Sequence, residues 1–398
     1  MSKVIVFCAD GTWNGPGQPD DDNTTDPPTN VFKLFLNLAG LDQKGTMLLA
    51  KEQERVLKDA DGNVLQWSKY LHGVGDSNNF LVQLLGGTVG AGLIARIVRG
   101  YTFISRNFVP GDQIFITGFS RGAYTARALA GMIATKGLLD PTKNNLQDRP
   151  TGYRLGAAVW YDYRRIASLS NPNWLDKLVG LATDLPAFFQ QSVPASQLIA
   201  TKIEAVAVWD TVGSLGIPTY TVTDQRVDLF QFADTALSPV VNHGIHAVAV
   251  DERRKDFTPT LWDPDPRIMQ ALFPGCHSDV GGGFPGPGVE SGLSDASLQW
   301  MMDQLAGRGV AFLPQPFYVP QPNPCATAHE TWLSGVWRYL PTGPRVFPAG
   351  LYLSEEVVER ADAAAVISDP SLSACAYIPG NLPTYLVAGV PASGVTVV

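Results

Sequence analysis

Ser120 lies in Gly118-Phe119-Ser120-Arg121-Gly122, between an apolar run and an alanine-rich segment, "QIFITGFSRGAYTARALAGMI". Gly-x-Ser-x-Gly between a strand and a helix predicts a nucleophile on a sharp, strained turn. Side chains two residues to either side would collide there, and Gly118 and Gly122 remove them. The rival reading is a plain helix N-cap, a position serine also favours. A serine hydroxyl needs a base, and the chain has five histidines. His277, in the glycine-rich "GCHSDVGGG", follows both the serine and two aspartates that end strand-like runs. His72 precedes the serine, His243 and His246 border or enter the run "GIHAVAV", and His329 lies in a poorly patterned tail. Asp210 ends "AVAVWD" and Asp251 ends "AVAVD". Either aspartate would fix the tautomer of the base and stabilise its imidazolium. Asp210 is favoured because the small, uncharged "TVGSLG" after it suits a site floor, whereas "ERRK" after Asp251 supplies salt-bridge partners. Asp279 is too near His277 in sequence to be preferred.

These residues need strands to end where they stand. "KVIVFCADGTW" predicts a short buried strand and a turn. "ERVLKDADGNVLQWSKYL" predicts a hairpin, and Asn30 is the expected N-cap of "VFKLFLNLAG". Strands alternating with helices predict an α/β fold of the α/β-hydrolase type. It would have a mainly parallel sheet flanked by helices and a site at the carboxyl ends of the strands. The expected core spans residues 1–300. Residues 140–200 form an inserted cap, whose Trp160, Tyr161, Tyr163, Trp174, Phe188 and Phe189 suit either an apolar lid or core packing. Residues 301–398 form an irregular C-terminal extension packed on the core. The oxyanion hole falls to the backbone N–H of Arg121 and that of Gly11 or Thr12, with the Asp10 side chain orienting the latter loop.

Composition narrows the rest. The chain has 398 residues, a net charge of −8 and no basic cluster, which argues against nucleic acid as partner. Cys8, Cys276, Cys325 and Cys375 are scattered and support neither structural zinc nor a disulfide framework. "CADGTW" approaches the Asp-x-Asp-Gly-Thr signature of dehalogenase-type phosphatases, but Cys8 stands where the phosphate acceptor would be. The acidic run Asp20 to Asn23 lacks the spacing of a calcium loop. The expectation is catalysis with no metal and no cofactor. "MSKVIVFCADGTWN" does not read as a signal peptide, so synthesis in the cytoplasm is expected, with any export independent of such a signal. The glycine-rich run Phe80 to Val98 reads as a closely packed buried helix before a second helical pattern; contact with a lipid surface is the alternative.

With these residues in hand, the chain resembles the DUF2235 family of α/β-hydrolases, which includes the Tle1 group of type VI secretion phospholipase effectors. The matching pieces are "DGTWN", "HGVGD", "GFSRGAYTARALAGMI", "VWDTVGSLG", "HAVAVDERRKDFTP" and "FPGCHSDVGGG", in the family's order over roughly residues 3–290. The resemblance places the family's nucleophile on Ser120, its acid on Asp210 and its base on His277. It implies a serine esterase with phospholipid acyl esters as the best-known substrates. It also implies a secretion-system carrier or an immunity protein as partner. A non-lipid carboxylesterase, or a catalytically idle hydrolase fold serving in a secretion assembly, are the alternatives.

Overall fold

The computed structural model describes residues 2–11, 27–43, 52–72, 91–169, 192–212, 235–285 and 290–398. In chain order the strands are β1 (Val4–Ala9), β2 (Leu41–Asp42), β3 (Glu52–Lys58), β4 (Val64–Leu71), β5 (Gln113–Phe119), β6 (Leu138–Leu139), β7 (Leu198–Ile199), β8 (Ile203–Trp209), β9 (Val241–Ala249), β10 (Ile268–Phe273), β11 (Tyr352–Leu353), β12 (Leu386–Val387) and β13 (Val390–Pro391). Nine of them form one sheet in the order β11-β10-β9-β8-β5-β1-β4-β3-β2. From β4 to β11 all neighbours are parallel, and only β3 and β2 run against their partners.

A parallel sheet covered on both faces must be apolar on both, which is why its strands read as continuous runs. In β1 the alternation is explicit. Ile5, Phe7 and Ala9 enter one core cluster, and Val4, Val6 and Cys8 enter the other. The first cluster is closed by helices α2 (Ala91–Asn107), α3 (Arg121–Lys136) and α4 (Arg149–Leu169), the second by α1 (Asn30–Asn37) and α6 (Gly292–Ala306). A five-residue helix, α5 (His277–Gly281), follows β10, and α7 (Glu355–Asp362) follows β11.

Three local expectations shift and one open choice is decided. Thr29, not Asn30, caps α1, its hydroxyl accepting from the Phe32 N–H at 3.3 Å. Asn30 is instead buried, donating to the Val280 and Ser294 carbonyls at 3.0 and 2.7 Å. The described end of the glycine-rich run and the pattern after it form one helix, α2. No described helix is long and apolar enough to cross a membrane. Trp160 and Tyr163 on α4 sit in the core cluster with α2 and α3, so of the two readings open for them core packing is the one observed. Trp174, Phe188, Phe189 and the acidic run Asp20 to Asn23 lie outside the described residues. The C-terminal extension does not merely pack on the core: β11 extends the main sheet beside β10, and Leu353 and Val357 share a buried cluster with Leu272.

Candidate active site

Ser120 follows β5 directly and precedes α3. Its φ is 57° and its ψ −124°, a conformation uncommon for a residue with a side chain. As the residue before the helix it makes no side-chain capping bond, so the N-cap reading loses its chemistry. The flanking glycines are required by contact. A Cβ on Gly122 would stand 2.0 Å from the Ala9 carbonyl oxygen, and one on Gly118 would stand 2.4 Å from that of Gly122. The turn is tied to the next strand by the Ser120 N–H, which donates to the Trp209 carbonyl at 3.2 Å.

Asp210, immediately after Trp209, is fully buried and has φ 34°. Its Oδ2 is 2.5 Å from His277 Nδ1, while its Oδ1 accepts from the Ala249 N–H at 3.0 Å. His277 opens α5, and its ring packs between Phe119, at 4.5 Å between ring centroids, and Phe257, at 4.9 Å. Gly281 lets α5 come this close, since a Cβ there would lie 1.9 Å from the Phe119 ring. The His277 N–H donates to Glu252 Oε2 at 3.2 Å, and Glu252 is gripped by Arg254 at 2.7 and 2.8 Å. The structure thus brings an aspartate and a histidine into contact at the carboxyl ends of β8 and β10. Both lie beside the turn that holds Ser120 at the end of β5.

The electrostatics follow from burial and partners. Burial lowers the His277 pKa below that of a free imidazole, and the Asp210 carboxylate opposes it. Burial alone would raise the pKa of Asp210, but the Arg345 and His277 bonds outweigh it and hold this carboxyl well below the usual range. Arg345 is the residue that sequence reasoning missed. It donates to Oδ1 at 2.7 Å and to Oδ2 at 2.9 Å from a proline-rich stretch with no periodicity to flag it.

The remaining candidates separate. Asp251 is not against His277; it accepts from the Gly275 N–H at 2.7 Å and the Tyr377 hydroxyl at 2.9 Å. Glu252, not Asp251, takes the neighbouring arginine. His246 accepts from the Thr211 N–H at 3.1 Å, and burial lowers its pKa to about 3, which makes it a neutral core histidine. His243 lies 3.6 Å from Glu204, and His329 pairs with Asp279 at 2.7 Å. His72 is buried after β4. Asp10 receives the Thr29 and Tyr70 hydroxyls at 2.8 and 2.6 Å and the Gly11 N–H at 2.7 Å. That last bond corrects the oxyanion expectation, because the Gly11 amide is committed to a carboxylate. Thr12 lies outside the described residues. The Arg121 N–H opens α3, where helix geometry leaves amides without an intrahelical partner. Among the described residues no cluster of three or more metal-ligating side chains occurs.

A mainly parallel sheet between helices, with these side chains at its strand ends, defines an α/β-hydrolase-like protein. Residues 3–304 match the family described as "T6SS, Phospholipase effector Tle1-like, catalytic domain", and the chain belongs to that family. It is 30% identical over 267 residues to the uncharacterized protein YEL023C of Saccharomyces cerevisiae, covering 67% of this chain and 33% of that protein. The chain therefore spans about a third of the length of that curated relative. Two solved structures are similar at 18% identity. An uncharacterized protein from Pseudomonas aeruginosa has a TM-score of 0.40, covering 78% of this chain and 46% of that one. The Tle1 effector bound to the VgrG spike from the type 6 secretion system has a TM-score of 0.38, covering 72% and 52%.

Proposed function

We propose that this chain is a serine hydrolase that cleaves carboxylic esters of phospholipids through an acyl-enzyme. The observation that carries the reading is the 2.5 Å contact between His277 Nδ1 and Asp210 beside a serine held at positive φ. A carboxylate on Nδ1 leaves Nε2 as the basic nitrogen. In the proposed reaction Ser120 Oγ attacks the ester carbonyl and its proton passes to His277 Nε2. The Arg121 N–H stabilises the oxyanion, with the Thr12 amide as the remaining candidate for the second donor. The tetrahedral species collapses, the ester oxygen leaves with the proton from His277, and the acyl group stays on Ser120. Water then attacks the acyl carbonyl as His277 takes its proton, and the fatty acid is released as that proton returns from His277 to Ser120 Oγ. Family membership supports phospholipid as the substrate class. It also supports delivery by a type VI secretion apparatus, and the proposal extends to a secretion-system carrier or an immunity protein as partner.

The test needs no prior choice of substrate. Incubation with a fluorophosphonate probe should displace fluoride and leave a phosphonyl group on Ser120, located by peptide mass spectrometry. The adduct should disappear in Ser120→Ala and fall at least a hundredfold in rate in His277→Ala. An adduct on another residue, or labelling indifferent to His277, would refute the assignment. Comparing rates on long-chain phospholipids with those on short soluble esters then decides the substrate class.

A further inference from the structure

Arg345 enters the site from an unusual direction. Its segment is anchored to the loop after β9 by a Gly343 N–H bond to the Arg253 carbonyl at 2.8 Å. A second anchor is the Lys255 N–H, which donates to the Pro341 carbonyl at 3.1 Å. Pro344 and Val346 are exposed, Val346 at 88%, yet Arg345 between them is 6% exposed. Its guanidinium forks onto both oxygens of Asp210 and also donates to the Ala249 and Phe257 carbonyls. One side chain therefore ties the candidate acid, the end of β9 and the loop whose Phe257 ring touches His277.

We propose that Arg345 is a positioning residue for catalysis, supplied by the C-terminal extension, which clamps Asp210 in its ionised form with one oxygen facing His277. The proposal rests on the triad reading above. A buried carboxylate without a counter-charge takes up a proton or turns, and a protonated Asp210 no longer holds the imidazole in the productive tautomer. A planar bidentate fork prevents both, because it supplies charge and fixes the carboxylate plane. The charged neighbours of the pair are few. Glu252, held by Arg254, accepts from the His277 N–H; Asp210, held by Arg345, meets the His277 ring; and the buried His246 is neutral at working pH. The two acids and two arginines balance, so neutral His277 sits in a compensated pocket.

The sign of the pH effect follows. Without Arg345 the Asp210–His277 pair holds an uncompensated negative charge and binds a proton at higher pH, whichever partner carries it. Since the reactive form is the unprotonated pair, the acidic limb of the rate profile must move up.

The experiment measures the fluorophosphonate labelling rate of the full chain from pH 4.5 to 9. In the wild type the acidic limb should lie below pH 6.5, the ordinary imidazole value. In Arg345→Gln the limb should rise by about one pH unit or more and the plateau rate should fall about 10- to 100-fold. Arg345→Lys, which restores charge but not the fork, should return the limb to its wild-type position and leave the plateau at least fivefold low. A Gln variant with limb and plateau both within twofold of wild type overturns the proposal. Should the Gln variant not fold, a Lys variant with the wild-type plateau overturns it instead. Asp210→Asn run alongside separates the two levels of inference. If it labels at the wild-type rate, the triad reading itself fails; if it is slow while the arginine variants behave as wild type, Arg345 is structural only.

Discussion

Ser120 and Asp210 are two of the three non-glycine residues with positive φ among the described residues, and both stand at adjoining strand ends. Strain of this kind persists only where the surroundings over-determine it. Here the Gly118 and Gly122 contacts, the Ser120 bond to Trp209 and the Arg345 fork do so. Asp10 is strained differently, by charge. Burial raises its pKa from 3.8 to about 6 against the Tyr70, Thr29 and Gly11 bonds that lower it. Between about pH 4 and 6 the folded chain therefore holds a proton that the unfolded chain has released, so stability falls as pH rises through that window. At roughly 1.4 kcal/mol per pH unit the loss is about 3 kcal/mol and persists above pH 6. Urea unfolding of wild type and Asp10→Asn between pH 4.5 and 7.5 should show the difference between them changing by about this amount. Parallel pH dependences would mean that Asp10 does not carry the proton.

At the scale of elements, legibility followed locality. The β3–β4 hairpin announced itself through "DADGN", and the elbow through an apolar run broken by Gly-Phe-Ser-Arg-Gly, because each signal lies within a dozen residues. Asp210 and Asp251 looked alike as strand-end acids. The residues after each favoured Asp210 only weakly, and the decisive difference is what crosses to meet them, a histidine and an arginine in one case and a glycine amide with a tyrosine in the other. The aromatics of 140–200 were ambiguous for a related reason, since composition cannot say which face of a helix is covered. Trp160 is 1% exposed on α4 and packs toward Tyr163, its ring centroid 5.6 Å away. Trp160→Ala should therefore cost about 3–5 kcal/mol in denaturant unfolding, the range for emptying a large core site. A loss below 1 kcal/mol, with altered preference for acyl length, would return Trp160 to the lid.

Across the whole molecule, the least legible feature is the one that closes the site. Arg345 meets Asp210 across 135 residues, from a stretch whose neighbouring side chains face solvent, so no periodic pattern marks it. The two-residue strand β11 is equally silent in sequence, yet it covers the edge of β10 and brings Leu353 and Val357 onto Leu272, Val248 and Val250. The family match ends at residue 304, before Arg345, β11 and Val357. A chain stopped after residue 306 would keep Ser120, Asp210 and His277. It would also expose the β10 edge, open one apolar cluster and leave Asp210 buried without its cation. Removing one partner of a buried ion pair alone costs about 3–5 kcal/mol, a large share of the 5–15 kcal/mol that holds a typical domain. The truncated chain should accordingly be insoluble or melt well below the full chain, and the soluble fraction should carry no phosphonyl adduct on Ser120. A truncated chain that is monomeric, folded by circular dichroism and labelled at the full-length rate would show that residues 3–304 are a complete catalytic unit. In that outcome the C-terminal extension would be an accessory to the site.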